Sequence, residues 1–398
     1  MTLQTLALIM LVGLLGPLLS LPRALHVPVV VGEIIIGVIL GTTGTRTLHS
    51  SDRTFTFLAN LGFALVMFVA GSHVPVNDPR LKSAARTGVL RAAAVGVIAI
   101  AVAVLLAHIF GTGHTALYAV LMASSSAALV LPIIDSLQLS GPPVLQLLPQ
   151  VALADAASIV VLPLVIDPHH AARAAVGAIA VIASAVVLFF VLRYLERSGI
   201  RERVHKVSEE RKLAIELRVS LMILCALAAL AARTHVSIML AGFSFGVAVS
   251  AIGTPRRLAR QLFALTEGFL GPLFFIWLGA SLDLRELAHH RSFILLGFAL
   301  GLGAIGSHVA MRALGQPITY GALAAAQLGV PVAAVTVGDQ LGVLKPGEPA
   351  GIILGALVSI AVASVAAGAA ARAGAESTAA PGLPAGNPAE GEEHPNRG

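Results

Sequence analysis

The stretch VLQLLPQVALADAASIVVLPLVI, residues 144–166, decides the fold because it is long enough to cross a bilayer and carries one formal charge near its centre. That charge is Asp155, which would lie near the middle of a hydrocarbon core about 30 Å thick. Ionising a carboxyl group at this depth is costly, so such residues usually face a watery cavity and handle ions or protons. The alternative is a structural role, in which Asp155 caps a broken neighbouring helix.

The composition extends this interpretation to nearly the whole chain. Of the 398 residues, 57% are hydrophobic and only 12% are charged, and the mean hydropathy is +0.90. An ordinary soluble domain carries about 25% charged residues. The sequence therefore predicts an all-α polytopic membrane protein. The net charge of +6 then reports membrane topology and not nucleic-acid binding.

Apolar windows bounded by proline, glycine or charged residues predict thirteen transmembrane helices. No window alternates as an outer-membrane strand does, which argues against a barrel. The second and ninth windows are shorter than the roughly 20 residues that a spanning helix needs. The predicted spans are 3–21, 26–41, 56–75, 84–109, 115–137, 143–166, 172–194, 212–232, 236–252, 260–282, 291–314, 318–341 and 348–372.

The distribution of basic residues predicts the orientation of these helices. If the N-terminus lies outside, most of the 26 Lys and Arg residues fall in cytoplasmic loops, including the run from Arg193 to Arg218. This is the positive-inside pattern for an odd number of helices with a cytoplasmic C-terminus. We therefore expect a multi-pass protein of the cell inner (plasma) membrane. The Pro-, Gly- and Glu-rich residues 373–398 are predicted to be a disordered cytoplasmic tail.

Two interrupted helices occupy corresponding places in the two halves of the chain. The segments 118–135 and 320–339 each run from tyrosine to aspartate and are broken by Pro132 or Pro331. Such a pair is the best sequence indication of a transporter's binding site at the bilayer midplane. In the first segment, Ser124, Ser125 and Ser126 add three hydroxyl groups. Unwinding there would expose carbonyl and hydroxyl oxygens, the ligands that a small hard cation prefers. Close helix packing by small serines is the alternative.

Other acidic residues within the predicted helices are weaker candidates. Glu33 and Glu267 are possible secondary ion or proton sites, although a gating, packing or interface role is open for each. Asp339 is a third possible secondary site, close to a helix end. The chain has no dinucleotide fingerprint, no phosphate-binding loop and no cluster of metal ligands at typical spacing. A single cysteine, Cys225, excludes a disulfide framework. We therefore expect no enzyme and no cofactor.

Three further segments bring a family resemblance. PVVVGEIIIGVILGT (28–42) is similar to the opening signature of the monovalent cation:proton antiporter-2 family. LANLGFALVMFVAGSHV (58–74) resembles that family's next helix, and GFLGPLFFIWLGASLDL (268–284) resembles its FF-containing segment. With the triple serine and Asp155, these motifs cover residues 3–372 in the order of the family. The chain most resembles the thirteen-helix NapA-like form, which lacks the nucleotide-binding tail of Kef-type potassium efflux systems, so we expect no nucleotide-binding regulatory domain in this chain.

The resemblance implies an architecture of two parts within a sodium/hydrogen exchanger domain spanning residues 1–372. It implies a homodimer of inverted-repeat subunits, in which two discontinuous helices cross beside the aspartate helix and a mobile core moves as an elevator. The dimerisation part would comprise about 1–80 and 212–282, and the core part about 84–166 and 291–372. A linker helix would occupy 172–194.

The expected function is secondary active antiport of Na⁺ or K⁺ against H⁺. The family's ion-binding role transfers to Asp155, where proton and cation would compete for one carboxylate. Electrogenic members carry Asp-Asp where this chain has Ala154-Asp155, and a lysine often found in helix 291–314 is missing. One-for-one electroneutral exchange is therefore predicted. Sodium-coupled organic-anion symport on the same fold is the runner-up, and a non-transporting membrane scaffold or sensor is the third possibility.

Overall fold

The computed structural model describes most of the chain as α-helix. It covers residues 1–20, 29–72, 79–166, 171–200, 203, 206–208, 211, 213–234, 236, 238–253, 256–282 and 284–378. Within these ranges no residue is assigned to a β-strand. The arrangement is therefore all-helical, as the composition predicts.

The helices follow one another with short connections. The first half contains α1 (Leu3–Gly13), α2 (Leu15–Ser20), α3 (Val29–Leu40), α4 (Arg53–Ser72), α5 (Pro79–Phe110), α6 (Thr115–Ala123), α7 (Ala127–Ser136), α8 (Pro142–Ile166) and α9 (Ala171–Arg197). The second half contains α10 (Ile215–Arg233), α11 (Ile238–Ile252), α12 (Arg256–Leu265), α13 (Gly271–Ser281), α14 (Leu284–His289), α15 (Arg291–Val309), α16 (Ile318–Ala324), α17 (Gly329–Leu341) and α18 (Glu348–Thr378).

Over the described ranges, 9 helical segments are long and apolar enough to cross a bilayer. Three shorter apolar helices lie at Leu3–Leu18, Val29–Leu40 and Ile238–Ile252. The prediction of a polytopic helical membrane protein is confirmed. Helical residues occur in each of the thirteen predicted windows, but the number of membrane crossings stays a prediction.

The N-terminal helices α3 and α4 pack against α11 and α13 from the second half. The contact between α3 and α13 is made by two glycines. A Cβ on Gly37 would lie 2.2 Å from the carbonyl oxygen of Ile276, and one on Gly279 would lie 2.1 Å from that of Ile34. No larger side chain fits at either position without moving the backbone. This explains why the motifs GEIIIGVILG and WLGASLDL place glycine there.

A second set of helices surrounds the aspartate helix. α5 packs on α6 and α8, while α15 packs on α18, α5 and α6, and α16 packs on α18. The long helix α9 contacts α8 and also α10 and α11, so it touches both sets. The assignment of these helices to core, dimerisation and linker parts stays a prediction. The division of the molecule into separately moving parts stays a prediction.

Both interrupted helices are present, and neither is broken at its proline. The first interruption comprises Ser124–Ser126, because Ser124 takes an extended conformation (φ −70°, ψ 154°), and Pro132 lies inside the following helix α7. The second comprises 325–328, and Pro331 lies in the first turn of α17. A first-turn proline fits a helix well, but it cannot donate to the carbonyl four residues earlier, which belongs to Gln327. Pro331 thus marks where the new helix begins.

Two differences from the predicted helices concern the C-terminal tail and helix 260–282. The helix predicted to end at 372 continues to Thr378. The first six residues of the predicted disordered tail are therefore helical, and residues 379–398 lie outside the described part. Helix 260–282 contains a π-helical turn, Thr266–Leu270, which includes Glu267.

Candidate ion-binding site

Asp155 lies on the inward face of α8. Its side chain is 5% exposed, and Val151, Ser158 and Leu162 are buried on the same side of the helix. These positions recur every three or four residues, as one face of an α-helix does. Because α8 is apolar on every side, the sequence pattern does not reveal which face is buried. The tertiary packing alone turns Asp155 inward.

The Asp155 carboxylate meets the beginning of α7. Its Oδ2 accepts a hydrogen bond from the backbone N–H of Ala127, the first residue of that helix, at 2.9 Å. The first N–H groups of a helix have no partner within the helix, and hydrogen bonds to a carboxylate are among the stronger ones. Asp155 therefore caps α7, which is the structural role that the sequence left open as an alternative. It also holds the carboxylate beside the first interruption.

The two interruptions are hydrogen-bonded to each other. The backbone N–H of Ser126 donates to the carbonyl oxygen of Ala326 at 2.8 Å, and the Ser125 hydroxyl donates to that of Ala324 at 2.6 Å. Ser124, Ser125 and Ser126 are all at most 4% exposed. Segments about 200 residues apart in sequence thus share one buried polar region next to Asp155.

Two hydroxyl groups of the first interruption, those of Ser124 and Ser125, donate to backbone carbonyls and keep their lone pairs. Ser124 Oγ lies 2.7 Å from the carbonyl oxygen of Leu121 and 3.4 Å from Oε1 of Gln327. A hydroxyl has one proton, so the shorter contact is the hydrogen bond and the longer one is a loose approach. A hydroxyl oxygen whose proton is committed in this way offers only lone pairs to another ligand. That arrangement suits a cation.

The region thus collects the kind of oxygen ligands that a hard monovalent cation needs. It offers one carboxylate, serine hydroxyls and carbonyl groups released from helical hydrogen bonding, all away from bulk solvent. The same carboxylate can instead carry a proton. These two occupancies are mutually exclusive on one oxygen pair, which is the chemical basis for coupling a cation flux to a proton flux.

Three buried polar residues lie near this region, and two of them, Ser158 and Gln327, were not identified as site residues from the sequence. Ser158 lies one turn beyond Asp155 on the same face of α8 and is 6% exposed. Gln327 is the single polar side chain in the second interruption and is buried. Its backbone N–H donates to Ser359 Oγ at 3.4 Å. An isolated glutamine in the apolar run AAAQLGVPV was the available signal for it.

His308 is the third of these residues. Its side chain on α15 is fully buried, neither ring nitrogen makes a hydrogen bond, and the backbone at Met122 and Ser124 faces the ring. The histidine therefore lies where α6 ends, on the side of the first interruption that belongs to that helix.

The three possible secondary sites lie elsewhere. Glu33 on α3 is 3% exposed and close enough to Glu267 for their carboxylates to interact electrostatically, whereas Glu267 itself is exposed. Asp339 is exposed near the end of α17, ten residues and thus about 15 Å along the helix from its first residue. The structure brings Glu33 and Glu267 together with each other and keeps Asp339 away from the interruptions.

Two proteins that are similar to this chain in sequence are named as Na⁺/H⁺ antiporters. The chain is 25% identical over 385 residues to the Bacillus subtilis protein named "Putative Na(+)/H(+) antiporter YjbQ", covering 89% of this chain and 61% of that protein. The chain thus spans about three fifths of that relative's length. It is 24% identical over 351 residues to "Probable Na(+)/H(+) antiporter 3" of Methanocaldococcus jannaschii, covering 82% of this chain and 86% of the relative.

The fold is similar to that of a solved transporter. The structure of the sodium proton antiporter MjNhaP1 from Methanocaldococcus jannaschii superposes with a TM-score of 0.66 at 16% identity, over 93% of this chain and 97% of that one. At this identity the likeness concerns the fold alone. The sequence profile described as "Sodium/hydrogen exchanger, transmembrane" matches residues 7–373. The chain therefore belongs to the sodium/hydrogen exchanger transmembrane family.

Proposed function

We propose that this protein is a secondary active antiporter that exchanges Na⁺ or K⁺ for H⁺ through Asp155. The observation that carries the proposal is the burial of Asp155 beside two hydrogen-bonded helix interruptions. Membership of the sodium/hydrogen exchanger family supports cation/proton exchange. Both similar proteins also carry the name Na⁺/H⁺ antiporter. The transported cation is a substrate and not a resident cofactor.

Coupling follows from competition for one carboxylate. Protonation removes the charge that attracts the cation, and cation binding occupies the oxygens that would take the proton. Lone pairs of the Ser124, Ser125 and Ser126 hydroxyls and carbonyls of the interruptions complete the cation's shell. When the core then moves relative to the rest of the protein, the occupied site opens to the other side of the membrane.

The test is an ion-substitution series in proteoliposomes with a pH-sensitive dye. Adding Na⁺ or K⁺ to vesicles that are acidic inside should dequench the dye, and the concentration series gives the selectivity between them. Asp155→Asn keeps the volume and the polar contact but cannot ionise, so its exchange should fall to background. The control Glu196→Gln makes the same chemical change at an exposed position on α9 and should exchange normally. Wild-type exchange by Asp155→Asn would exclude the mechanism.

The NapA-like or Kef-like character of the protein belongs to the same proposal. So do the crossing of the two discontinuous helices and the thirteen membrane passes. We propose that helices within 84–166 and 291–372 form the moving core. Helices within 1–80 and 212–282 would form a homodimer interface in the plasma membrane, with 172–194 connecting the parts. Cross-linking of membranes should therefore trap dimers through helices within 1–80 and 212–282 and not through the core.

The topology proposal places Met1 outside and Gly398 in the cytoplasm. Fusing a reporter that is active only in the cytoplasm to the C-terminus should give signal, and the same reporter at the N-terminus should give none. Signal from the N-terminal reporter and none from the C-terminal one would show that every loop lies on the side opposite to the one proposed.

Symport of an organic anion with sodium is the alternative on this fold. It predicts a substrate-dependent sodium uptake that persists without a proton gradient. Since the matched family is that of exchangers, antiport is the better supported reading.

A further inference from the structure

A buried polar cluster joins α5, α8 and the connection between α15 and α16. We define it as Arg91, Gln150 and Gln316, whose side chains are 2%, 0% and 2% exposed. Gln316 Nε2 donates to Gln150 Oε1 at 3.0 Å, and Arg91 Nη2 donates to the carbonyl oxygen of Leu314 at 3.0 Å. Gln150 precedes Asp155 by five residues, about 7.5 Å along α8. The proposed exchange mechanism uses none of the three.

The cluster has more hydrogen-bond donors than acceptors. Arg91 Nε and Nη1 and Gln150 Nε2 are buried without a hydrogen-bond partner, and the one unpartnered acceptor is Gln316 Oε1. An amide oxygen carries no formal charge, so Gln316 Oε1 does not neutralise the Arg91 guanidinium. A guanidinium stays protonated in proteins. A buried charge without a counter-ion is strongly unfavourable.

Another buried charge of the chain, at the far end of α5, is fully compensated. The carboxylate of Glu348 is fully buried and accepts from Tyr118 Oη at 2.6 Å, His114 Nδ1 at 2.7 Å and the backbone N–H of Lys345 at 2.8 Å. Over the described residues, Arg91 forms no ion pair with any carboxylate. Within the described part of the chain, its one hydrogen-bond partner is the backbone carbonyl of Leu314. The missing component is a negative charge.

The local backbone builds the cluster just below the protein surface. Gly315 takes a left-handed conformation (φ 74°), which reverses the chain after Leu314 and turns Gln316 inward between exposed neighbours. On the opposite side, Gly88 lets α5 approach α8, since a Cβ there would lie 2.8 Å from the backbone nitrogen of Gln150. The short exposed turn at Gly315 separates the cluster from solvent.

We propose that Arg91, Gln150 and Gln316 form an internal binding site for a small monovalent anion of the chloride class, which enters at the Gly315 turn. One guanidinium charge and N–H groups from two helices suit a single spherical acceptor. Phosphate carries more charge at neutral pH than one guanidinium neutralises. Because its ligands come from α5, α8 and the α15–α16 connection, the bound anion ties the two interrupted-helix halves of the chain together.

A direct test uses bromide, which occupies chloride sites and scatters anomalously. Crystals of the full chain grown in sodium bromide should give an anomalous peak within hydrogen-bond distance of Arg91 Nε or Nη1 and Gln150 Nε2. An ordered Arg91 with no peak beside it overturns the proposal, because water alone would then fill the site. This measurement on the unaltered protein does not depend on whether any variant folds.

Thermal unfolding distinguishes a functional site from an adventitious ion only. Replacing sodium gluconate by sodium chloride at constant sodium concentration should raise the Tm of the wild-type protein by about 1–3 °C. Arg91→Met should lose this chloride-dependent shift. Arg86→Met removes an exposed arginine of the same helix and should keep it. An equal shift in Arg91→Met and wild type, or no shift in the wild type, contradicts the proposal even if a bromide peak is present.

Discussion

The two helix interruptions lie in contact, but one contributes hydrogen-bond donors to that contact and the other contributes acceptors. The first, Ser124–Ser126, supplies the donors of the two short hydrogen bonds between them: a hydroxyl from Ser125 and an N–H from Ser126. The second, residues 325–328, is built from Ala325, Ala326, Gln327 and Leu328, and the carbonyls of Ala324 and Ala326 accept those bonds. The first interruption also borders Asp155 through Ala127.

This difference predicts different roles for the two interruptions in ion binding. A carbonyl that accepts one hydrogen bond keeps a second lone pair, so the second interruption can both hold the first and face a cation. Ser124 and Ser125 direct their hydroxyl protons to carbonyls and leave their oxygen lone pairs available. We expect the first interruption to set ion affinity by its side chains, and the second to act by its backbone. Substitutions that separate side chain from backbone test this difference.

Ser125→Ala should have the largest effect on stability among the serine substitutions. It removes the hydroxyl that satisfies the buried Ala324 carbonyl, which costs about 1–3 kcal/mol, and it loosens the contact between the interruptions. Thermal unfolding and cation-dependent exchange should both deteriorate. The matched control is Ser364→Ala, since the Ser364 hydroxyl bonds only within its own helix, to Ile360. Equal stability losses in the two variants would mean that the contact between interruptions is dispensable.

Ser126→Ala should act mainly on ion affinity. The backbone N–H that bonds Ala326 remains, while the side-chain oxygen is lost. We expect the apparent KM for the cation to rise about threefold to tenfold, which corresponds to ~1 kcal/mol, with little change in Tm. Ser184→Ala on α9, whose hydroxyl bonds its own helix at Ala180, should leave the KM unchanged. An unaltered KM in single and combined Ser124, Ser125 and Ser126 variants would make these serines packing residues only.

Gln327→Ala should have a small effect, less than about twofold in KM. Its amide oxygen approaches Ser124 Oγ only at 3.4 Å, a distance at which hydrogen bonds contribute little. The second interruption should thus tolerate loss of its one polar side chain as long as its backbone is intact. A KM increase as large as that of Ser126→Ala would show instead that the amide is a cation ligand. The contrast between the interruptions would then be wrong.

Membrane potential should have no effect on the exchange equilibrium. If Asp155 alone carries either one proton or one monovalent cation, each half-cycle moves the same net charge across the membrane. A potential of 100 mV is worth about 2.3 kcal/mol per charge moved, so an electrogenic cycle would shift its reversal point clearly. Clamping the potential in proteoliposomes with a potassium-independent method measures this. A shift would point to a further proton site, for which buried His308 and Glu33 are the first residues to substitute.

Much of this site was readable from the sequence, because its main parts are chemically exceptional where they stand. A carboxylate in the middle of an apolar run and three consecutive serines in another are costly in a membrane, so each indicated a shared polar region. The succession of apolar windows predicted an all-helical membrane protein, and the motifs of α3, α4 and α13 predicted the sodium/hydrogen exchanger family. The narrower antiporter-2 family stays a proposal. Composition and cost in hydrocarbon are local properties that a sequence states directly.

What the tertiary structure alone decided is how distant polar groups pair. Apolar sequence on every side of α8 hides the face that carries Asp155, and the prolines mark the interruptions only approximately. Glu348 and Arg91 lie in similarly apolar surroundings, yet one meets three donors and the other meets a single carbonyl. Those partners come from helices far apart in the chain. Their pairing depends on helix rotation and register, which nearly uniform apolar sequence leaves undetermined and close packing fixes.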